Sequence, residues 1–478
     1  MYVPFDNWYT EPAARLDVRS VGLNRVRLSV VKGAIMQIDS IRTTSLGDAT
    51  YLLRHANSVV VVDPQRDIDR FLDAVGGATI THVLETHVHN DYVSGGRDLA
   101  LRTGADLVLP AGSGVGFAFV PAFHREELSG DGGLLIRPLH TPGHTPEHMS
   151  YLVLIDDEPH AVFSGGSLLV GAAGRSDLLG DEFAEQLARL QYGSLHRLAE
   201  LPDEVGVFPT HGEGSFCTAS GAGRSTSTIG MEKAENPLYR IDSAEAFVAS
   251  QLGGLTPYPD YYPQMAPINR TNPTAVAALE VAELTPDAFA ARMTDCAVVD
   301  GRSRFDFASG HIPGSIGVEI GDSFAPWVGW LIEFNAPLLL VLNEDQDARE
   351  AAVELARIGF TDVRGVLRGT GAWRESGREL AAYETATAAQ LAGHLAGEWE
   401  GQILDVRDPL EWESGHIEGS AHRYLPDLRQ GLAGTVDAGD PVWVICRTGN
   451  RSSIAAGLLE RLGVQPIVVA TGGVPDVI

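Results

Sequence analysis

Short runs of β-branched and aliphatic residues, each closed by turn residues, recur along the first 215 positions of the chain. MQIDSI (36–41), ATYLLRH (49–55) and SVVVVDP (58–64) read as strands. IDRFLDAV (68–75) carries apolar residues at helical spacing, and THVLET (81–86) is again a strand, running into a histidine-rich loop. LLIRPL, MSYLVLI and EVGVF continue the series. This alternation predicts a layered α/β domain over residues 36–252. Residues 1–35 show no clear period and read as an N-terminal extension of uncertain order. Residues 253–275 are dense in Pro, Tyr, Gly and Asn, the signature of a linker, although YYPQM suggests packing against something.

Beyond the linker the chain repeats itself. AVVDGRSRFDFASGHIPGSIG (297–317) aligns with ILDVRDPLEWESGHIEGSAHR (403–423). Asp300, Arg302, Gly310, His311 and Ile312 fall on Asp405, Arg407, Gly415, His416 and Ile417. Downstream, PLLLVLNEDQDAR matches PVWVICRTGNRSS. A period this long is a duplicated domain rather than a solenoid unit. The copies are placed at 276–382 and 383–478, each reading strand, turn, strand, helix, strand: a small parallel α/β domain. The second copy stops soon after TGGVPDVI, so it is expected to lack the terminal helix of the first.

With 478 residues, a soft prior of roughly 150 per domain gives about three domains, in line with this division. Lys+Arg is 35 against 63 Asp+Glu, a net charge of −28. That balance argues against wrapping nucleic acid or docking on an anionic membrane face. Three widely spaced cysteines exclude a disulfide scaffold and favour a reducing compartment. No stretch approaches the roughly 18–20 apolar residues of a membrane span, and the first residues lack a signal-peptide core. A cytoplasmic protein is expected.

Candidate chemistry sits in two places. The first is a set of histidines, each group at a strand end: His87, His89, Asn90 and Asp91 after THVLE; His140, His144 and His148 in a Pro/Gly turn; and His211 after EVGVF. Histidines at i, i+2 leaving a strand can turn both imidazoles toward one cation, and three such clusters favour a shared metal site. The second is the loop Cys446-Arg447-Thr448-Gly449-Asn450-Arg451-Ser452 between an apolar strand and a helix. A ring of backbone N–H groups at a helix start stabilises a thiolate or persulfide anion, and Arg447 and Arg451 add positive charge. The polar run argues against burial of Cys446.

THVHND, TPGHT and PTHG resemble the successive motifs of the metallo-β-lactamase superfamily. With VDPQRD (62–67) and GRSDLLG (174–180), they are similar to its persulfide dioxygenase branch fused to two rhodanese domains. The resemblance implies an αββα sandwich followed by two rhodanese-like domains. It also implies one ferrous iron on His87, His144 and the aspartate of an F-[ST]-G-D motif. Here that motif reads Phe163-Ser164-Gly165-Gly166, and Tyr92 replaces the second histidine of HxHxDH. Asp91, His89 or a water could complete a modified site, zinc is the alternative metal, and a domain without metal is the third outcome; His211, a possible ligand, is expected rather to line the site. His140 and His148 are expected to be structural or supporting. CRTGNR resembles the rhodanese loop C-x-x-G-x-R, which implies that Cys446 accepts sulfane sulfur, with Thr448, Gly449, Asn450 and Ser452 shaping the substrate loop. Asp405, Arg407 and His416 are expected to support the fold.

Aligned on PLLLVL, the first copy has Leu342 at the cysteine position and an acidic loop after it, so it reads as catalytically dead. Cys217 and Cys296 read as packed. Three functions therefore stand as expectations: a persulfide dioxygenase coupled to transfer through Cys446, a sulfurtransferase on a metal-poor scaffold, and a metal-dependent (thio)ester hydrolase. The expected partners are a thiol persulfide or thiosulfate and a thiol acceptor, with a homodimer as a family-level expectation.

Overall fold

A run such as Val59-Val60-Val61-Val62 is apolar at every position, which a strand tolerates only when both of its faces are covered. In the computed structural model, which describes residues 23–31, 34–212, 214–217, 224–271, 279–397 and 401–478, both faces are covered. Val60 and Val62 point between two sheets, against Tyr51, Tyr151 and Phe163. Val59 and Val61 point outward against Phe71, Val75 and Leu99 of the helices Asp69–Val75 and Gly96–Thr103.

The first sheet runs in chain order: β1 (Leu23–Val31), β2 (Ala34–Thr43), β3 (Asp48–His55), β4 (Ser58–Val62), β5 (Ile80–Leu84), β6 (Asp106–Pro110) and β7 (Val120–Ala122). Pairing is antiparallel from β1 to β4 and parallel from β4 to β7. The second sheet comprises β8 (Leu128–Ser129), β9 (Leu134–His140), β10 (Met149–Ile155), β11 (Glu158–Gly165), β12 (Gly206–Pro209) and β13 (Ser227–Thr228), again in chain order. The helix Asp181–Ala199 covers its outer face through Leu195 and Leu198. Two tyrosines tie the sheets together at the site edge: Tyr51 Oη donates to Pro209 O at 2.7 Å and Tyr151 Oη to Glu85 O at 2.9 Å.

Part of the presumed N-terminal extension is a strand. Residues 23–31 form β1, and a bulge between Arg25 and Arg27 breaks the alternation that a sequence pattern would need. Residues 1–22 lie outside the described residues. The presumed linker also carries structure: Tyr262–Arg270 is a helix, with Tyr261, Tyr262 and Met265 buried.

Each repeat is a parallel sheet. The first has the order β15-β14-β16-β17, with β14 (Ala297–Asp300), β15 (Ile316–Gly317), β16 (Leu338–Leu342) and β17 (Val363–Arg368). The second has the order β18-β22-β21-β19-β20, with β18 (Glu384–Thr387), β19 (Gln402–Asp405), β20 (Ala421–His422), β21 (Val442–Ile445) and β22 (Pro466–Thr471). Where the first copy continues into the helix Gly371–Glu375, the second closes on a single 3₁₀ turn, Val474–Asp476. The copies dock directly, His311 Nε2 lying 2.8 Å from Glu460 Oε2. Arg357 joins the first copy to the sandwich through two bonds to Asp67, at 3.0 and 2.6 Å. Among the described residues, no helix is long and apolar enough to cross a membrane.

Candidate active sites

Cys446 follows β21, whose four residues are all buried, and the chain must then reverse to start the helix Asn450–Arg461. Gly449 makes that reversal at φ 93°, and a Cβ there would lie 2.2 Å from Ala470 O, so no other residue fits. Its N–H donates to Cys446 Sγ at 3.2 Å. Ser452 Oγ lies 3.5 Å from Sγ and donates to Val469 O at 2.7 Å. Contrary to the expectation from the polar run, Cys446 is buried, at 1% exposure, because the loop folds its backbone around the sulfur and turns Arg447 and Thr448 outward.

The two arginines are not equivalent. Arg447 is exposed, whereas Arg451 forms bonds to both oxygens of Glu411 and lies 3.6 Å from Asp408 Oδ2. Glu411 is pulled down to about 2: burial opposes its charge, but the bonds from Arg451 and Asp408 win. The attraction expected of Arg451 for an anion is therefore largely cancelled locally. Asn450 and Arg451 border a cleft of about 310 Å³, walled by Phe216, Trp327 and Tyr424 and so by all three domains. Asp405 accepts Arg407 Nε at 2.8 Å, and Arg407 Nη2 donates to Gly415 O at 2.8 Å, bracing the strand end below the loop. His416 is stacked on Trp412 at 3.7 Å.

The first copy repeats the brace and omits the cradle. Arg302 bonds Asp300 and Gly310 O in the same way, and His311 stacks on Phe307 at 3.9 Å. Leu342 occupies the cysteine position, and Gln346 closes the loop by donating to Gly301 O and accepting from Asn343 N, both at 2.8 Å.

In the sandwich, the loops after β4, β5, β11 and β12 and the β9–β10 turn meet at one edge. Asp63 stitches them together, accepting Thr86 N and Thr86 Oγ1 at 2.7 Å each and a bond from Thr210 Oγ1. His87, His89, Asp91, His144 and His211 are all brought together and buried, along with His148, while His140 lies to one side. His148 is fully engaged, accepting Gly166 N at 3.0 Å and meeting Thr141 Oγ1 at 3.0 Å. His89 Nε2 sits between Glu85 at 3.1 Å and Asp63 at 3.3 Å, with Tyr92 Oη 3.0 Å away. His211 Nδ1 sits between Asp48 at 2.8 Å and Asp91 at 3.1 Å.

These neighbours set the charges. Burial opposes a charge on His211, but Asp91 and Asp48 overcome it and raise its pKa to about 10. Burial also opposes a charge on His89, and Asp63 and Glu85 raise it well above the usual histidine range. Burial, with His211 nearby, pushes His144 down to about 3, and burial with Asp91 and Asp48 pushes the Cys217 thiol up.

The ligand set of the resembling branch does not fit here. Glycine at 166 has no donor atom, and a Cβ built on it would lie 2.3 Å from Cδ2 of His144, whose ring fills the space a side chain would need. The candidate substitute Asp91 is already engaged by His211. Among the described residues, a strap also covers this edge. Tyr262 Oη lies 3.9 Å from Cys217 Sγ, and Asn269 Nδ2 donates to His89 O and Tyr92 O at 2.9 and 2.8 Å. Behind this strap packs the helix Phe324–Leu331 of the first repeat, where a Cβ on Gly329 would meet Tyr261 at 2.3 Å. A cleft beside His87 and His89 offers about 30 Å³, room for about one or two waters. Other groupings of these side chains have ligand atoms within 4.8 Å of one another and could hold a metal, among them His144/His211/Cys217 and Asp48/Asp91/His211.

Sequence reasoning missed Asp48, Glu85 and Asn269. Asp48 and Asn269 lie in no motif, and Glu85 is the last polar letter of a strand. Asp63 was visible only as part of VDPQRD.

Comparison with known proteins agrees with this architecture. Residues 46–211 match the metallo-beta-lactamase superfamily, and residues 285–376 and 387–477 each match the rhodanese-like domain. A hydroxyacylglutathione hydrolase-like protein of Homo sapiens is 39% identical over 34% of this chain; the match spans about half of that protein, 52% of its length. A hydroxyacylglutathione hydrolase of Rhodopseudomonas palustris is 29% identical, over 38% of this chain and 77% of its own. Among solved structures, a metallo-beta-lactamase from Staphylococcus aureus is 28% identical with a TM-score of 0.64, covering 70% of this chain and 99% of that one. ETHE1 from Myxococcus xanthus is 33% identical, covering 49% of this chain and 97% of that one, with a TM-score of 0.42. The chain thus joins a metallo-β-lactamase-superfamily domain to two rhodanese-like domains, of which the second alone carries a cysteine in its loop.

Proposed function

We propose that this chain is a sulfane-sulfur transferase that works through Cys446, with the sandwich acting as a scaffold rather than an iron oxygenase. The observation that carries the reading is the cradle around Sγ: the Gly449 N–H at 3.2 Å, at the start of a twelve-residue helix. Such a cradle holds the negative charge of both the thiolate and the persulfide.

The thiolate of Cys446 attacks the outer sulfur of a persulfide or thiosulfate donor. The donor's S–S bond breaks and its electron pair leaves on the donor thiolate or sulfite, so Cys446 becomes a persulfide. An acceptor thiolate then attacks the outer sulfur, and the new S–S bond breaks to return the Cys446 thiolate. No electrons are gained or lost overall. The cleft of about 310 Å³ beside Asn450 and Arg451 suits a small organic thiol.

An oxygenase reading lacks its carboxylate at Gly166, and among the described residues Tyr262 and Asn269 cover the site edge. A dinuclear hydrolase reading, which the curated relatives raise, lacks the histidine that Tyr92 replaces and the carboxylate that Gly166 replaces. Cys446→Ser is expected to abolish sulfur transfer from thiosulfate and from an organic persulfide to cyanide or a thiol. Transfer retained in that variant, or stoichiometric iron with persulfide-dependent oxygen uptake, overturns the proposal.

A further inference from the structure

Three aromatic side chains wall the cleft beside the Cys446 loop: Phe216 of the sandwich, Trp327 of the first repeat and Tyr424 of the second. Trp330 packs behind them. Phe216 and Tyr424 each stand edge-on to it, with centroids 5.9 Å away and planes at 76° and 81°, and Trp327 lies 6.4 Å away. Asn450 and Arg451 line the same cleft, and Gly449, the residue before them, holds Cys446 Sγ. Asn450 Nδ2 donates to Ser323 Oγ at 3.1 Å, which ties the first-repeat wall to the sulfur-bearing loop.

The charges here do not suit an anion. Arg451 is bonded to both oxygens of Glu411 and lies 3.6 Å from Asp408 Oδ2, so one guanidinium faces two carboxylates. Asp408 itself lines the cleft. Burial, with Asp408, Asp427 and Glu411 nearby, holds the Tyr424 hydroxyl above its usual range against the pull of Arg451. Aromatic faces attract a cation through the ring quadrupole, and several rings around one pocket are the recurring way of holding an ammonium group. The field of a chain with a net charge of −28 favours the same sign.

We propose that this cleft is an aromatic cage for the ammonium group of a cationic thiol, which is the acceptor of the sulfur carried by Cys446; the proposal rests on the transfer reading above. The thiol gives its proton to solvent and its sulfur attacks the outer sulfur of the Cys446 persulfide. A new S–S bond forms, and the Cys446 S–S bond breaks with its electron pair returning to Sγ. The product is the persulfide of the cationic thiol, and nothing is oxidised or reduced overall. The sandwich and the first repeat, which carry no cysteine loop of their own, thereby share in the site through Phe216 and Trp327.

The test compares three acceptors on the full chain: thiocholine, its neutral isostere with a tert-butyl group in place of trimethylammonium, and mercaptopropionate. Each kcat/KM is divided by that thiol's uncatalysed rate with a free organic persulfide, which removes differences in intrinsic reactivity. Thiocholine is expected to exceed both others by at least about tenfold, the scale of a desolvated cation over aromatic faces. Asp408→Asn keeps the helix cap that Asp408 provides to Glu411 N at 3.0 Å and removes the charge. It should cut the preference over mercaptopropionate by about threefold, the worth of one ion pair near the surface. Tetramethylammonium alone should quench tryptophan fluorescence saturably, whether or not sulfur moves, and bind more weakly to Asp408→Asn. Should that variant fail to fold, the normalised preference of the unaltered protein decides. Transfer to cyanide without a preference for thiocholine, a preference unmoved by Asp408→Asn, or no saturable response to tetramethylammonium overturns the cage and leaves the Cys446 reading standing. No transfer to any acceptor, cyanide included, overturns the Cys446 reading and the acceptor role together.

Discussion

Restoring the missing carboxylate should damage the sandwich rather than revive it. A Cβ at position 166 would sit 2.3, 2.7 and 2.8 Å from three atoms of the His144 ring. The ring cannot retreat freely, because its Nδ1 is tied to Arg175 O at 2.8 Å. To regain an ordinary contact the ring must shift by roughly 1 Å, which overpacks its surroundings at about 1–3 kcal/mol. Losing the Arg175 bond adds about 1 kcal/mol or more. Gly166→Ala should therefore destabilise the first domain by about 2–4 kcal/mol, and Gly166→Asp by more, since it buries a charge as well. The described tryptophans, Trp327, Trp330, Trp373, Trp412 and Trp443, all lie in the repeats, so their fluorescence reports the wrong domain. Urea unfolding followed by circular dichroism, with hydrogen exchange on peptides spanning 140–150, reads the right one. A Gly166→Ala protein within about 0.5 kcal/mol of the parent would show that the space is not filled as described. Stoichiometric iron in Gly166→Asp would refute the reasoning outright.

Further outcomes follow from the same structure. Burial raises Glu354 to about 7, more than Arg357 lowers it. Its folded pKa lies above its unfolded one, so the protonated form carries no penalty at low pH, and stability is lost as pH rises from about 4.5 through 7. Glu354→Gln should raise the melting temperature at pH 8, by the equivalent of roughly 2–3 kcal/mol, and leave it unchanged at pH 4. Asn269→Ala strips partners from His89 O, Tyr92 O and Ser94 N. At about 1–3 kcal/mol for each buried group left unpaired, amide exchange over 87–95 should accelerate at least tenfold. Glu411→Gln removes the charge that neutralises Arg451 and should lower KM for thiosulfate in steady-state transfer; an unchanged KM would mean that Arg451 does not meet the donor.

The fold was legible where chemistry or repetition left a pattern. The duplication showed in Asp300/Arg302 and Asp405/Arg407 because the aspartate–arginine brace demands the same letters in both copies. The histidine edge showed because each histidine closes an apolar strand. What stayed hidden depends on distant contacts. Asp48 and Asn269 act on residues more than 150 positions away, and no local pattern encodes that. The burial of Cys446 was misread because a polar loop can wrap a sulfur in its backbone while its side chains face water. Arg451 looked like a free cation because its partner, Glu411, lies 40 positions earlier.

The strap across the histidine edge also sets a timetable for synthesis. The last strand of the sandwich, β13, ends at Thr228, yet the surface that seals its edge is not complete until Leu331 has been made. At about 5–20 residues per second, the roughly 100 intervening residues take about 5–20 s to emerge. For roughly the first 40 of those residues, until Arg270 has been made, Tyr92 and Cys217 stay uncovered in the nascent chain. Fragments ending between these points should therefore bind chaperones or aggregate.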